Sequence, residues 1–323
     1  MRVRALVLLA LVGCGARTGL DERDAAAGAV DVAPSNDAAR LVFTLYDGRG
    51  GMQLYVLDVD GGEARPVPIA GGWAVHATFT PDRRHVVYVV PGRDDGDMAS
   101  LVVMDLRTRA TRTLARAPSM SSMAISPDGR SVVYTAGLNL RVVGWDGAGD
   151  RMLVQGPFNL GCCGWGFGHP AFARDAATVF YATAGRIESI GLDGRGRRLL
   201  VTGNFLRVVY PNVAVSADGA RLAAGIACGE EGQLRAWSID ALPAACETGE
   251  VIATVSRSRT GNEANNPAWG DDDRIAFQQG PDIYVVDASG GEPRNVTAAL
   301  TAGMGESAAA VFPEWVPRGV GLP

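Results

Sequence analysis

A chain of 323 residues with 47% hydrophobic and 20% charged residues is long and apolar enough to bury a substantial core, which excludes a wholly disordered protein. Thirty Lys plus Arg against 35 Asp plus Glu leave a formal net charge of -5, and there is no basic run. A nucleic-acid-binding surface is therefore not expected.

At the N-terminus, Arg2 and Arg4 precede the apolar run from Ala5 to Val12, which is too short for a membrane-spanning helix and reads as a signal peptide over residues 1–13. The run closes on Leu11-Val12-Gly13-Cys14. This tetrapeptide resembles the lipobox of bacterial lipoproteins, whose cysteine is acylated before cleavage. The resemblance implies that Cys14 is lipidated, that the protein meets the membrane through that lipid, and that it sits in the bacterial cell envelope facing the periplasm or the exterior. An ordinary signal peptide with a fortuitous cysteine is the alternative. Residues 14–39 are rich in Ala, Asp and Gly, lack a hydrophobic period and read as a flexible tether.

From residue 40 to 319 the chain repeats. A short apolar strand enters a tight turn at Phe79-Thr80-Pro81-Asp82, Ile125-Ser126-Pro127-Asp128, Phe172-Ala173-Arg174-Asp175, Val215-Ser216-Ala217-Asp218, Trp269-Gly270-Asp271-Asp272 and Trp315-Val316-Pro317-Arg318. The third turn positions (81, 127, 174, 217, 271, 317) recur at steps of 46, 47, 43, 54 and 46 residues, the period of a four-stranded propeller blade. A second apolar strand follows each complete turn, as at His85-Val86-Val87-Tyr88. A third begins near Leu54, Leu101, Leu140, Ile187, Leu234 and Ile283, and most of these lead into Asp-Gly or Ser-Gly hairpin turns.

The aromatic, the Ser-Pro-Asp-Gly turn and a hairpin such as Ile283-Tyr284-Val285-Val286-Asp287 together resemble the TolB-type propeller repeat over nearly all of residues 40–319. The resemblance implies an all-β fold, a six-bladed β-propeller of four-stranded antiparallel blades. Blade four, with Ala173-Arg174-Asp175, and blade five depart from the pattern. The first strands have no turn motif before them, and the last motif has no strands after it. The C-terminal strand is therefore expected to become the innermost strand of the N-terminal blade and close the ring, leaving 320–323 as a tail.

Propeller ligands usually meet the face where the inter-blade connections and the loops between second and third strands gather. Three residues ahead of each turn's aromatic or aliphatic residue stand His76, Ser122, His169, Asn212, Asn266 and Phe312. Five of these are polar where a core would be apolar, so they are candidates for a ligand-binding channel rim, the alternative being that they only cap strand ends. The Gly-rich stretch between blades three and four carries Trp165 and Phe167 as a candidate recognition loop, or equally a plug over the channel. Adjacent Cys162 and Cys163 are candidates for a vicinal disulfide. Cys228 and Cys246, 18 residues apart, are candidates for a loop staple, the favoured one of three possible pairings. The acidic Asp94-Asp95-Gly96-Asp97 cluster lacks the closing Glu of a calcium loop.

No nucleophile elbow, His-Glu-x-x-His helix, phosphate-binding loop or metal-spaced Cys/His cluster occurs, so neither a metal nor a cofactor is expected. The sequence reads as a monomeric, non-catalytic binding or scaffold module that meets an envelope protein or glycan. A propeller hydrolase or lyase acting on sugars or peptides is the alternative.

Overall fold

The structure, a computed structural model, describes residues 38–69, 72–92, 97–156, 169–183, 186–202, 212–227, 232–255, 265–302, 304 and 308–322. Cys14, Cys162, Cys163, Trp165, Phe167, Cys228 and the Asp94-Asp95 pair lie outside them.

The turn motif shows why this sequence pattern folds the way it does. In blade three the Ser126 hydroxyl donates to Asp128 at 2.6 Å. Asp128 accepts the Arg130 amide at 3.0 Å, and Ser126 Oγ accepts the Ser131 amide at 2.9 Å, so the polar ends of the turn satisfy one another locally. Thr80 with Asp82 and Ser216 with Asp218 repeat the pattern. Blade four has Ala173 in place of the hydroxyl, and its Asp175 is instead bonded by the Thr178 hydroxyl at 2.7 Å.

Six antiparallel sheets follow in chain order. Blade two comprises Val75–Phe79, His85–Val90, Ala99–Asp105 and Thr111–Ala117. Blade three runs Met120–Ile125, Ser131–Ala136, Asn139–Gly144 and Arg151–Gln155, and blade four Ala171–Phe172, Thr178–Thr183, Arg186–Gly191 and Arg198–Thr202. Blade five runs Val213–Val215, Arg221–Ala227, Gly232–Ser238 and Glu250–Val255, and blade six Asn265–Trp269, Arg274–Gln279, Asp282–Asp287 and Arg294–Asn295.

One sheet departs from the expected four strands. Blade five carries an insertion whose Ala244–Ala245 pairs in parallel with the outer strand of blade four, giving that sheet a fifth strand. The insertion covers backbone groups that a bare outer edge would leave unpaired, and it contributes to the long 54-residue step in the repeat.

Blade one joins Arg40–Tyr46, Met52–Asp58 and Arg65–Pro66 to the innermost strand Ala309–Val316, which comes from the far end of the chain. The apolar core is divided into six clusters, one at each joint between neighbouring blades. Leu41, Phe43, Ala276, Ile283 and Trp315, for example, join blade six to blade one. Trp315 anchors this joint. Its indole N–H donates to Ala268 O at 3.0 Å, and the Arg274 guanidinium lies 5.3 Å from the ring centroid.

Truncation before Ala309 should therefore destabilise every blade together, because it opens the ring. Trp315→Ala should cost about 3–5 kcal/mol. A single cooperative melt at a much lower temperature is the expected calorimetric result, and an unchanged melting temperature would refute closure by this strand.

Candidate functional site

Each innermost strand runs along the central axis, and several are interrupted by a bulge at the position read as the channel rim. The pairing register shifts between Val75 and Ala77, between Met120 and Met123, between Asn265 and Ala268, and opposite Phe312-Pro313. His76, Asn266 and Phe312 take left-handed backbone conformations with φ of 49°, 52° and 55°. A non-glycine residue there costs on the order of 1 kcal/mol, and the bulge re-aims its side chain. Threonines of the second strands brace the irregular backbone: Thr44 Oγ1 accepts the His76 amide at 2.9 Å, and Thr135 Oγ1 accepts that of Ser122 at 3.1 Å.

The rim residues turn toward one another. His76 and His169, from blades two and four, stack with ring centroids 4.2 Å apart, and the Phe312 ring lies 5.5 Å and 5.4 Å from them, within 20° of parallel. His76 Nδ1 lies 3.1 Å from Ser121 O, so Nδ1 carries the proton and donates it. The His169 amide donates to Asn212 Oδ1, the Asn212 side-chain amide donates to Asn266 Oδ1, and that of Asn266 donates to Gln278 Oε1 at 2.8 Å. His76, Ser122, Asn212 and Asn266 are all buried. This layer of aromatic and amide groups spans the channel, and within it His169 Nε2 is buried with no partner among the described residues.

Two residues further along each strand stand Thr78, Ala124, Ala171, Ala214, Ala268 and Glu314. They pair with Val87, Val133, Phe180, Ala223, Ala276 and Val42 of their second strands. Each of those partners belongs to the cluster joining its blade to the next. All six residues therefore share the face of the innermost strands that looks toward the next blade, and on these strands Thr78, Ala124, Ala171 and Glu314 keep part of their surface accessible while Ala214 and Ala268 are buried. Five of them are alanine or threonine, and Glu314 alone is ionisable.

No family model matches the chain, and no curated protein matches it. Solved structures do. TolB from Acinetobacter baumannii superposes with a TM-score of 0.64 at 14% identity, over 88% of this chain and 68% of that one. The fold is that of a TolB-type propeller. A chain of a nidogen/laminin complex gives a TM-score of 0.62 at 14% identity, over 86% of this chain and 98% of its own. An oligogalacturonate lyase in complex with manganese gives 0.50 at 15% identity, over 81% and 74%. At these identities the likeness is one of fold.

Of the cysteines, Cys246 is buried in the blade-five side of its joint and its sulfur is engaged. Among the described residues no three His, Cys, Asp or Glu side chains converge on a common metal position. Glu314 does not belong to the six rim positions. The blade alignment that picked out the rim holds the missing signal, since shifting it by two positions exposes one carboxyl among small residues.

Burial sets the charge state of the site. His76 is held down to about 4 by loss of hydration, partly offset by its bond to Ser121 O. His169 is lowered for the same reason and by its neighbour His76, so both rings are neutral at pH 7 and can stack. Loss of hydration alone pushes Glu314 up to about 8, because no cation or donor among the described residues offsets it.

The folded histidines refuse a proton that the unfolded chain accepts, so their contribution to stability is lost as pH falls from about 6.5 toward 4. Folded Glu314 keeps a proton that the unfolded chain releases, so its contribution is lost as pH rises from about 4.5 through 8. Inside its window each group changes stability by up to about 1.4 kcal/mol per pH unit. Glu314→Gln should flatten the fall in melting temperature between about pH 4.5 and 8 and leave the profile below pH 4.5 unchanged. Superimposable pH profiles for variant and wild type would refute this assignment.

Proposed function

We propose that the chain is a non-catalytic binding or scaffold module of the bacterial cell envelope, held at the membrane by a lipid on Cys14 and meeting a protein or glycan through the face above the rim layer. The observation that carries this reading is the stoppered channel. His76, His169 and Phe312 stack across the axis at the rim, and the amides around them are bonded to one another, so among the described residues this end of the channel is occupied by side chains. A channel end occupied in this way favours a macromolecular partner over a small substrate. The nidogen/laminin structure, in which a chain of this fold is part of a protein complex, supports the reading by analogy of fold.

Residues 1–13 act in this proposal as the signal peptide, 14–39 as the tether and 40–319 as a monomeric propeller, with Trp165 and Phe167 on the approach to the partner. Cys228 pairs with Cys246, which is consistent with the engaged, buried sulfur of Cys246 and with an oxidising compartment. The rim residues His76, Ser122, His169, Asn212 and Asn266 support the surface from beneath. The second reading, a lyase or hydrolase acting on sugars or peptides, is favoured by one observation, the likeness to the oligogalacturonate lyase fold.

Non-reducing peptide mapping of the envelope-extracted protein should recover a linked Cys228–Cys246 peptide, and recovery of both as free thiols would refute the staple. Full-length wild-type protein should fractionate with membranes and retain a specific partner after detergent solubilisation and affinity capture. A Cys14→Ser variant should appear in the soluble fraction, and a Trp165→Ala/Phe167→Ala variant should stay in the membrane but lose the partner. Undiminished recovery of the same partner would overturn the proposed surface, and turnover of oligogalacturonate by the purified protein would replace this reading with the catalytic one.

A further inference from the structure

The innermost strands carry one carboxyl, Glu314, that the proposed outer surface does not use. Below the three-ring layer, by the rise of two strand residues or roughly 6–7 Å, the innermost strands bring Thr78, Ala124 and Ala171, each partly accessible, and the buried Ala214 and Ala268 to the level of Glu314. Glu314 keeps part of its surface accessible within this enclosure and has no hydrogen-bond donor or cation among the described residues. The neighbouring blades place arginines elsewhere. Arg274 serves Asp60 and Asp272, Arg221 serves Glu250, and Arg294 serves Asp60 and Val59 O, all on the turn side or the outer parts of the blades. An unpaired carboxyl in an apolar enclosure is costly to ionise, and natural cores seldom keep one where the five equivalent positions carry a methyl or hydroxyl group.

We propose that this channel is a binding site for one primary alkylammonium group, with Glu314 as its counter-ion. The five small residues would lie along the ligand's methylene stem, and the ring layer formed by Phe312 and the two histidines would close the far end.

The chemistry discriminates among cations. A divalent metal needs several anionic or imidazole ligands. Here His76 Nδ1 is committed to Ser121 O, and no third ligand converges among the described residues. A guanidinium presents a planar fork of donors that one carboxylate satisfies only in part, with methyl groups on the other sides. A primary ammonium is compact, and its stem is apolar, as the wall is. The neutral histidines add no positive charge that would repel it. Binding transfers the Glu314 carboxyl proton to solvent, so the complex is an ion pair between a carboxylate and an ammonium that is already protonated in water.

The test uses the full-length protein, n-butylammonium chloride as probe, and tetramethylammonium chloride at equal ionic strength as a cation without N–H donors. Butylammonium should raise the melting temperature of the wild type in a saturable way, as expected for a ligand that binds only the folded state. Calorimetry at pH 7 in two buffers of different ionisation enthalpy should show release of about one proton per site. Glu314→Gln, close in shape, should weaken binding about tenfold or more and abolish the proton release. Ala171→Val, which keeps the carboxyl but narrows the channel, should weaken binding while the apparent proton release per bound ligand persists. Equal stabilisation by tetramethylammonium, an unchanged response in Glu314→Gln, or no saturable response in the wild type would each overturn the site. None of these outcomes bears on partner capture by the outer face, so the two proposals fail independently.

Discussion

A ring of blades exists only while it has no open edge, and here the edge is closed by one pairing between strands from opposite ends of the chain. Arg40–Tyr46 aligns with Ala309–Val316 from Arg40 opposite Val316 to Tyr46 opposite Ala309, with a bulge in the middle. Every joint transmits load to the next, because the apolar core is split into six interfaces and each blade contributes to two of them. Closure therefore has a global effect: without it, two blade faces lose their partners and the outer strands of blade one have no central strand to lean on.

The closing strand also supplies the unusual chemistry of the axis. Phe312 completes the three-ring layer, and Glu314 is the one ionisable residue in the layer below. The bulge that shifts the register opposite Phe43 lets one short strand present both residues to the channel while Trp315 stays in the joint with blade six. Mechanical closure and the polar content of the channel are thus coupled through eight residues.

Between the blades, arginine carries most of the polar bonding. All 30 basic residues are arginine. Arg83 donates to Arg318 O, Arg174 to Asp218 O and Arg294 to Val59 O, in each case across a blade boundary. Arg112, Arg221 and Arg274 lie over Trp145, Trp269 and Trp315. A planar guanidinium with several donors can cover a ring and reach a carbonyl or carboxylate at once, which a lysine ammonium does less well. Arg221, which lies over Trp269 while bonding Ala288 O at 3.2 Å and Glu250, shows this double use.

By itself the sequence determined the architecture, because the features that encode it are local. The Ser-Pro-Asp-Gly turn satisfies its own polar groups within five residues, and its spacing counts the blades. The unpaired half-repeats at the two ends imply how the ring closes. The polar character of the positions ahead of each turn is legible too, since residues such as His76 and Asn212 stand out where a core strand would be apolar. Only the tertiary structure decided what those residues face. The contact between His76 and His169 joins non-adjacent blades 93 positions apart, and no strand period encodes a contact across an axis. The same holds for Ala244–Ala245, whose parallel pairing with blade four depends on where an insertion lands in space. Glu314 shows the limit most clearly. Its residue type and position are visible in the alignment of the blades, but its isolation comes from six strands converging on one axis, which surrounds with protein a carboxyl that would be unremarkable in any single blade.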